Sequence, residues 1–236
     1  MFYYSIVIGR GKLFGIVVRL VFHDAGEFDI RTSDLLGPDG CLSNTNDNKG
    51  LIESTSLVMT VLEPLWQQVC EYITRADYWV MFAKLVIEEA TSNSITVSYQ
   101  YGRKDNFECS VYGETRLPSG QSGMSDIEQI FITQMGLTIQ DAGTSTESSS
   151  SSTLTSSPPQ CIFALLSKFF FLDNNLCIFY KVALLGGHSL GYTTISNSGY
   201  GFNIPNADLN ILNAWDSTPH VLDSGYFSEL IQKVIT

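Results

Sequence analysis

The sequence predicts an all-α domain, and three observations carry that prediction. Phe14 to Ala25 has the apolar density of a helix buried in a core. Leu51, Leu57, Val58, Val61 and Leu62 fall at helical spacing along Leu51–Leu65. Thr74 stands before Arg75-Ala-Asp77 as an N-cap would, and the run continues through Trp79, Val80, Phe82, Ala83, Leu85 and Val86.

The remaining elements follow in chain order. Pro64, near the end of the second stretch, suits a helix boundary, because proline has no N–H and crowds the preceding turn. Tyr99 to Ser122 is rich in Gly, Asp, Pro and Ser and reads as loop or short strand. Asp126 to Met135 is a further helix. The pattern is interrupted once, at residues 143–181. That segment opens with the serine-rich run Thr144 to Pro159, whose composition cannot offset the entropy of ordering. It continues from Cys161 to Tyr180, apolar but broken by Lys168, Asp173, Asn174 and Asn175; a membrane tether is the weaker reading of this half. The expectation is one domain over residues 1–236 with a low-complexity insertion at 143–181, either translated intron or lineage-specific.

Composition bounds the function. A chain of 236 residues, 44% hydrophobic and 16% charged, is globular and long enough for a sizeable core. A formal net charge of -11 argues against nucleic acid and anionic membrane as partners and suits cations. Five cysteines at irregular spacing form no zinc or redox pattern, and the odd number implies no complete disulfide framework. Met1 to Arg10 is apolar but lacks the basic stretch of a signal peptide. No uncharged apolar run is long enough for a membrane span.

Two histidine strings carry the chemistry. In Arg19-Leu-Val-Phe-His-Asp-Ala25, Arg19 and His23 are four residues apart and share a helix face. A fixed cation beside a base that is neutral near pH 7 suits proton abstraction from a small acidic substrate. The second string is Leu185-Gly-Gly-His-Ser-Leu-Gly191. Together they resemble the distal and proximal halves of the plant, fungal and microbial haem peroxidase superfamily. Lone buried Arg–His pairs are commonly structural; the surrounding matches reverse that balance. The resemblance covers Val17 to Ala142 and Val182 to Leu230.

The resemblance implies haem b as cofactor, with His188 as iron ligand, and hydrogen peroxide and a small electron donor as substrates in oxidative-stress chemistry. His23 would be the distal base, Arg19 the charge stabiliser and Phe22 an aromatic wall over the haem. Asn48, in Asn48-Lys-Gly-Leu51, would accept the Nδ1 proton of His23. Trp215 takes the place of the proximal tryptophan of ascorbate and cytochrome c peroxidases. Two calcium strings are implied as well. Asp24, Gly37 and Asp39 match a distal loop, although Cys41 stands where a serine is expected. Ser189, Asp216, Thr218, the Val221 carbonyl and Asp223 match a proximal site, continued by Gly225-Tyr-Phe227. The bland alternatives are an ordinary Gly-Pro-Asp-Gly turn and a helix cap.

Gly187-His-Ser-Leu-Gly191 also satisfies the nucleophile elbow of a serine hydrolase, with Val182 to Leu185 as its strand, Ser189 as nucleophile and His220 as base. Too little chain follows for that order of elements. The other competing reading is a peroxidase remnant that is catalytically impaired or binds no haem. The chain begins almost on the distal helix and ends at Thr236, before any residue assignable as the proximal aspartate; a domain truncated at both ends is expected. The position of the ascorbate-contacting arginine falls near Asn197, no glutamates precede Arg19 at the manganese-site spacing, and the surface-tryptophan position falls at Ala183. None of these three donors is therefore implied.

Overall fold

The computed structural model describes residues 2–32, 36–43, 46–109, 116–118, 124–137, 186–194, 208 and 211–235. Residues 143–181, Ala183 and Asn197 lie outside these. The first helix, α1 (Phe2–Gly26), extends well upstream of the stretch read from apolar density. Phe14, Val17, Leu20 and Val21 form its buried stripe. They join Val80, Ala83, Val86, Ile87 and Ala90 in one core cluster.

Those five residues belong to α3 (Arg75–Ala90). Thr74 caps it as expected: its backbone is extended, and its hydroxyl accepts a hydrogen bond from the Asp77 N–H at 3.2 Å. Burying large branched side chains of this kind contributes roughly 1.5–3 kcal/mol each. The α1–α3 pair is thus the main apolar layer on which the candidate site is built.

Leu51–Leu65 departs from the continuous helix that its periodicity predicts. Turns occupy Leu51 to Ser56, and helical hydrogen bonding begins at Leu57. Ser56 sets the boundary. Its hydroxyl donates to the Leu51 carbonyl at 2.7 Å and accepts from the Met59 N–H at 3.2 Å. A π-helical turn, Val58–Leu62, then leads into α2 (Glu63–Trp66). Pro64 sits in the first turn of α2 rather than ending the run. Its missing N–H and its ring disfavour a regular α ladder there, and the wider turn comes directly before it.

The helix expected over Asp126–Met135 forms α4 (Met124–Glu128) continued by a π-helical turn, Gln129–Gln134. Ile130, Phe131 and Met135 bury against Leu117 in a second, smaller cluster beside Phe22. A short antiparallel pair joins β1 (Tyr192–Thr194) to β2 (Leu212–Ala214), with Thr193 opposite Asn213. The all-α expectation holds, with this pair as the addition. The last helix is α5 (Gly225–Ile235), preceded by a Leu222 N–H bond to the Ala90 carbonyl at 3.1 Å. Among the described residues no helix is long and apolar enough to cross a membrane.

The cysteines hold a feature that spacing could not assign. Cys41 and Cys109 form a disulfide, while Cys70 is an exposed free thiol.

Candidate functional site

The C-terminal half of α1 presents Arg19, Phe22 and His23 on adjoining faces. The Arg19 guanidinium is held by one carbonyl of the short 3₁₀ helix Asn46–Asn48 and by one just after it. Its Nη1 donates to the Lys49 carbonyl at 2.9 Å and its Nη2 to the Asp47 carbonyl at 2.7 Å. Desolvation lowers the arginine's pKa, opposed by Glu53 and Asp47, and the group remains a cation.

Asn48, 0% exposed, faces His23: its Oδ1 lies 2.9 Å from His23 Nδ1. The amide orientation follows from its other end, where Nδ2 donates to Glu27 Oε1 and to the Ser43 carbonyl, both at 2.8 Å. Asn48 Oδ1 is therefore an acceptor, so His23 carries its proton on Nδ1 and leaves Nε2 as a base. Burial, with the nearby Arg19 charge and a smaller contribution from His188, pushes the His23 pKa down to about 3. His23 is thus neutral across the physiological range. The influence of His188 also places the two histidines within electrostatic reach of each other.

Phe22 meets the His23 ring edge-on at 5.8 Å and Phe131 at 6.0 Å, which fixes it as an aromatic wall beside the base. His188 lies in a 3₁₀ turn, Gly187–Ser189. The Trp215 ring contacts it at 4.5 Å in a T-shaped arrangement, and Tyr226 stacks on it at 5.2 Å. Tyr226 is a site residue that sequence reasoning does not single out; its signal is its place inside the Gly225-Tyr-Phe227 string.

Directly beside His188, Ser189 enters a knot of oxygens. Ser189 is fully buried, and its hydroxyl lies 3.0 Å from Asp216 Oδ2 and 2.7 Å from the Asp223 carbonyl. The Thr218 hydroxyl bonds Asp223 Oδ2 at 3.0 Å, and its N–H bonds Asp216 Oδ1 at 2.8 Å. Val221 closes the same turn through its N–H to the Thr218 carbonyl. Desolvation raises the Asp216 pKa, and Asp223 adds to that. Glycine at 225 leaves the carboxylates room, since a Cβ there would stand 2.8 Å from Asp216 Oδ2 and 2.9 Å from Asp223 Oδ1 and would displace them. Ser189, Asp216, Thr218 and Asp223 are thus brought together, and the carbonyl in the knot is that of Asp223, with Val221 placed through its N–H rather than its carbonyl.

The Asp24 group is closed differently. Asp24 accepts from the N–H groups of Gly40 and Cys41, both at 3.2 Å. Asp39 accepts from Cys41 N–H at 3.0 Å and from Asn106 Nδ2 at 3.2 Å. Burial pushes Asp39 up to about 6 and raises Asp24 well above the usual carboxylate range. The Gly37 carbonyl is taken by the Asp39 N–H at 2.7 Å, and the Cys41 sulfur by Cys109. Among the described residues no group of three or more His, Cys, Asp or Glu side chains is arranged to hold a metal ion.

The hydrolase alternative is corrected by the same geometry. The buried Ser189 hydroxyl bonds Asp216 and Asp223 rather than a histidine. The turn around it is a 3₁₀ helix rather than a strand-to-helix elbow. Val182 to Leu185 lie outside the described residues.

The Peroxidase family model matches residues 6–236. L-ascorbate peroxidase 2, cytosolic, of Oryza sativa subsp. japonica is 26% identical over 221 residues, covering 92% of this chain and 64% of that protein. The probable L-ascorbate peroxidase 3, peroxisomal, of the same plant is 25% identical over 223 residues, 92% and 56%. L-ascorbate peroxidase 2, cytosolic, of Arabidopsis thaliana is 24% identical over 221 residues, 92% and 64%. The chain thus spans less than two thirds of the length of these relatives.

Proposed function

The chain belongs to the plant, fungal and microbial haem peroxidase superfamily, and from that premise we propose that it reduces hydrogen peroxide with haem b and oxidises a small-molecule electron donor. The observation that carries this reading is the His23 arrangement: Nδ1 is committed to Asn48, the ring is neutral, and a fixed guanidinium stands one turn away.

The residues fit the cofactor. His188 supplies an imidazole within electrostatic reach of His23, flanked by Trp215 and Tyr226, and Phe22 supplies an aromatic wall. Haem, when bound through His188, supplies an iron that takes up two oxidising equivalents from peroxide and passes them on singly. The chain's own residues handle protons and charge. His23 Nε2 takes the proton from one peroxide oxygen and returns it to the departing one, so that water leaves. Arg19 stabilises the negative charge that builds as the O–O bond breaks. Asn48 keeps His23 in the required tautomer.

Calcium fits the proximal knot, where two carboxylates, two hydroxyls and a carbonyl converge beside His188. The distal set does not fit, because the Cys41 sulfur, which stands where the resemblance implies a hydroxyl ligand, is spent on the disulfide. The names of the relatives specify ascorbate; the position implied for the ascorbate-contacting arginine falls near Asn197, so the donor is left as a small molecule. The test is peroxide consumption by the haem-loaded protein. His23→Ala should slow it roughly 10²–10⁴-fold, the usual contribution of a positioned base. An unchanged rate in that variant removes the reading.

A further inference from the structure

The stretch Asp105 to Cys109 runs between the start of α3 and the loop around Asp39, and it is tied to both. Asp105 accepts the Arg75 and Ala76 N–H groups, both at 2.9 Å, which have no partner within their own helix. The Asn106 N–H donates to the Asp39 carbonyl at 2.9 Å, and Asn106 Nδ2 to Asp39 Oδ2 at 3.2 Å. Cys109 is bonded to Cys41, across a sequence separation of 68. On its other side the same loop meets α1. The Gly40 and Cys41 N–H groups donate to the two oxygens of Asp24, the residue after His23. Gly40 also lies against the first turn of α3, where an added Cβ would stand 2.7 Å from the Ala76 nitrogen. Asp24, Asp39 and Cys41 are all buried.

We propose that the Cys41–Cys109 bond does in this chain what a bound cation would do at the same place: it holds the 37–41 loop against Asp24, and so braces the end of α1 that carries His23. Only the role given to His23 rests on the peroxidase reading; the clamp itself does not. Asp24, Gly37 and Asp39 keep the oxygen groups that the resemblance assigns to a calcium loop, and the departure falls at residue 41. A sulfur there is a poor ligand for a hard cation, and this one is committed to Cys109. The partner cysteine comes from the stretch that already holds Asp39 through Asn106 and is anchored on α3 through Asp105. The disulfide therefore ties the loop to a fixed support, and a link across so long a stretch restricts the unfolded chain without needing a ligand. Residue 41 is the point of exchange. Cys41→Ser breaks the clamp and returns the hydroxyl, so it should admit a cation that the unmodified chain does not take there.

Calcium titration calorimetry and thermal melts of the full chain test this. Neither reads peroxide turnover, so failure here is distinct from failure of the peroxidase reading. The proteins compared are the unmodified chain, Cys41→Ser and Cys109→Ser. In chelator both variants should melt roughly 5–15 °C below the unmodified protein, as loss of a disulfide in a chain of this size does. Saturating calcium should raise Cys41→Ser by more than it raises Cys109→Ser, which keeps a thiol at 41. Cys41→Ser should bind one more calcium per chain than the unmodified protein, and Cys109→Ser the same number as the unmodified protein. These differences hold whether or not the proximal knot takes calcium. If Cys109→Ser does not fold, dithiothreitol added to the folded unmodified protein replaces it. The reagent passes two electrons and two protons to the pair, the S–S bond breaks to two thiols, and the reagent closes to its cyclic disulfide. Melting that is unchanged by loss of the bond overturns the proposal. So does equal calcium binding by the unmodified protein and Cys41→Ser, or a Cys41→Ser that fails to fold with calcium as well as without it.

Discussion

Gly15 on α1 packs directly against Gly191, three residues beyond His188: a Cβ added at Gly15 would lie 2.6 Å from the Gly191 Cα. Gly191 itself has φ +94, in the left-handed region that favours glycine. Its N–H bonds the Pro219 carbonyl at 2.9 Å and its carbonyl accepts from Trp215 N–H at 3.4 Å. The helix that carries His23 and the turn that carries His188 thus meet backbone to backbone. No side chain lies between them to yield.

Gly15→Ala should therefore destabilise the protein. Alanine is the better helix former by about 1 kcal/mol, but overpacking against backbone costs roughly 1–3 kcal/mol, and the clash wins. It should also weaken haem binding by separating the two histidine-bearing elements. Gly9 is the control, because a Cβ added there would meet nothing within 4 Å. Gly9→Ala should raise the melting temperature where Gly15→Ala lowers it. Two variants that both stabilise would show that the contact is not a constraint.

The depressed His23 pKa makes a pH prediction with a definite sign. In the unfolded chain this histidine takes up a proton as pH falls below its ordinary value of 6.5; in the folded protein it does so only near 3. Between those values the unfolded state binds more protons, so folding stability falls as pH falls, by at most about 1.4 kcal/mol per pH unit. His23→Leu lacks this penalty. Its melting temperature relative to the unmodified protein should rise as pH is lowered through that window. Asp24, whose raised pKa acts in the opposite direction, is present in both proteins and largely cancels in the difference. A difference that stays constant with pH would contradict the assignment.

Much of this site is legible in the sequence because helical spacing converts directly into shared faces. Arg19 and His23 lie on adjoining turns of α1 as their interval predicts, and Thr74 caps α3 through the Asp77 N–H as its residue type predicts. Glu27 obeys the same four-residue rule, and the rule alone could single it out; what spacing cannot supply is that Ser43 and Asn48 return to meet it. The break at Ser56 escapes apolar periodicity because a hydroxyl that competes for backbone bonds overrides that pattern locally. The Cys41–Cys109 bond and the Gly15–Gly191 contact join residues far apart in the chain, and neither composition nor period encodes such pairings.

The proximal knot predicts a calcium dependence. A cation held by Ser189, Asp216, Thr218 and Asp223 would brace the turn that carries His188. Saturating calcium at about 100 times its dissociation constant would add roughly 2.7 kcal/mol of stability. Chelation should lower both the melting temperature and haem affinity, and Asp216→Ala should reproduce the loss and abolish the response to calcium. Melting curves that coincide with calcium and with chelator would mean that the hydrogen bonds alone hold the knot.

The central claim of the proposed function is that His188 would hold a haem iron. Titrating the purified chain with haem and following the Soret absorbance tests it most directly. The account predicts stoichiometric uptake with a band characteristic of histidine ligation, lost or strongly shifted in His188→Ala and retained in His23→Ala. No uptake by the intact chain, or an unchanged band in His188→Ala, would contradict it.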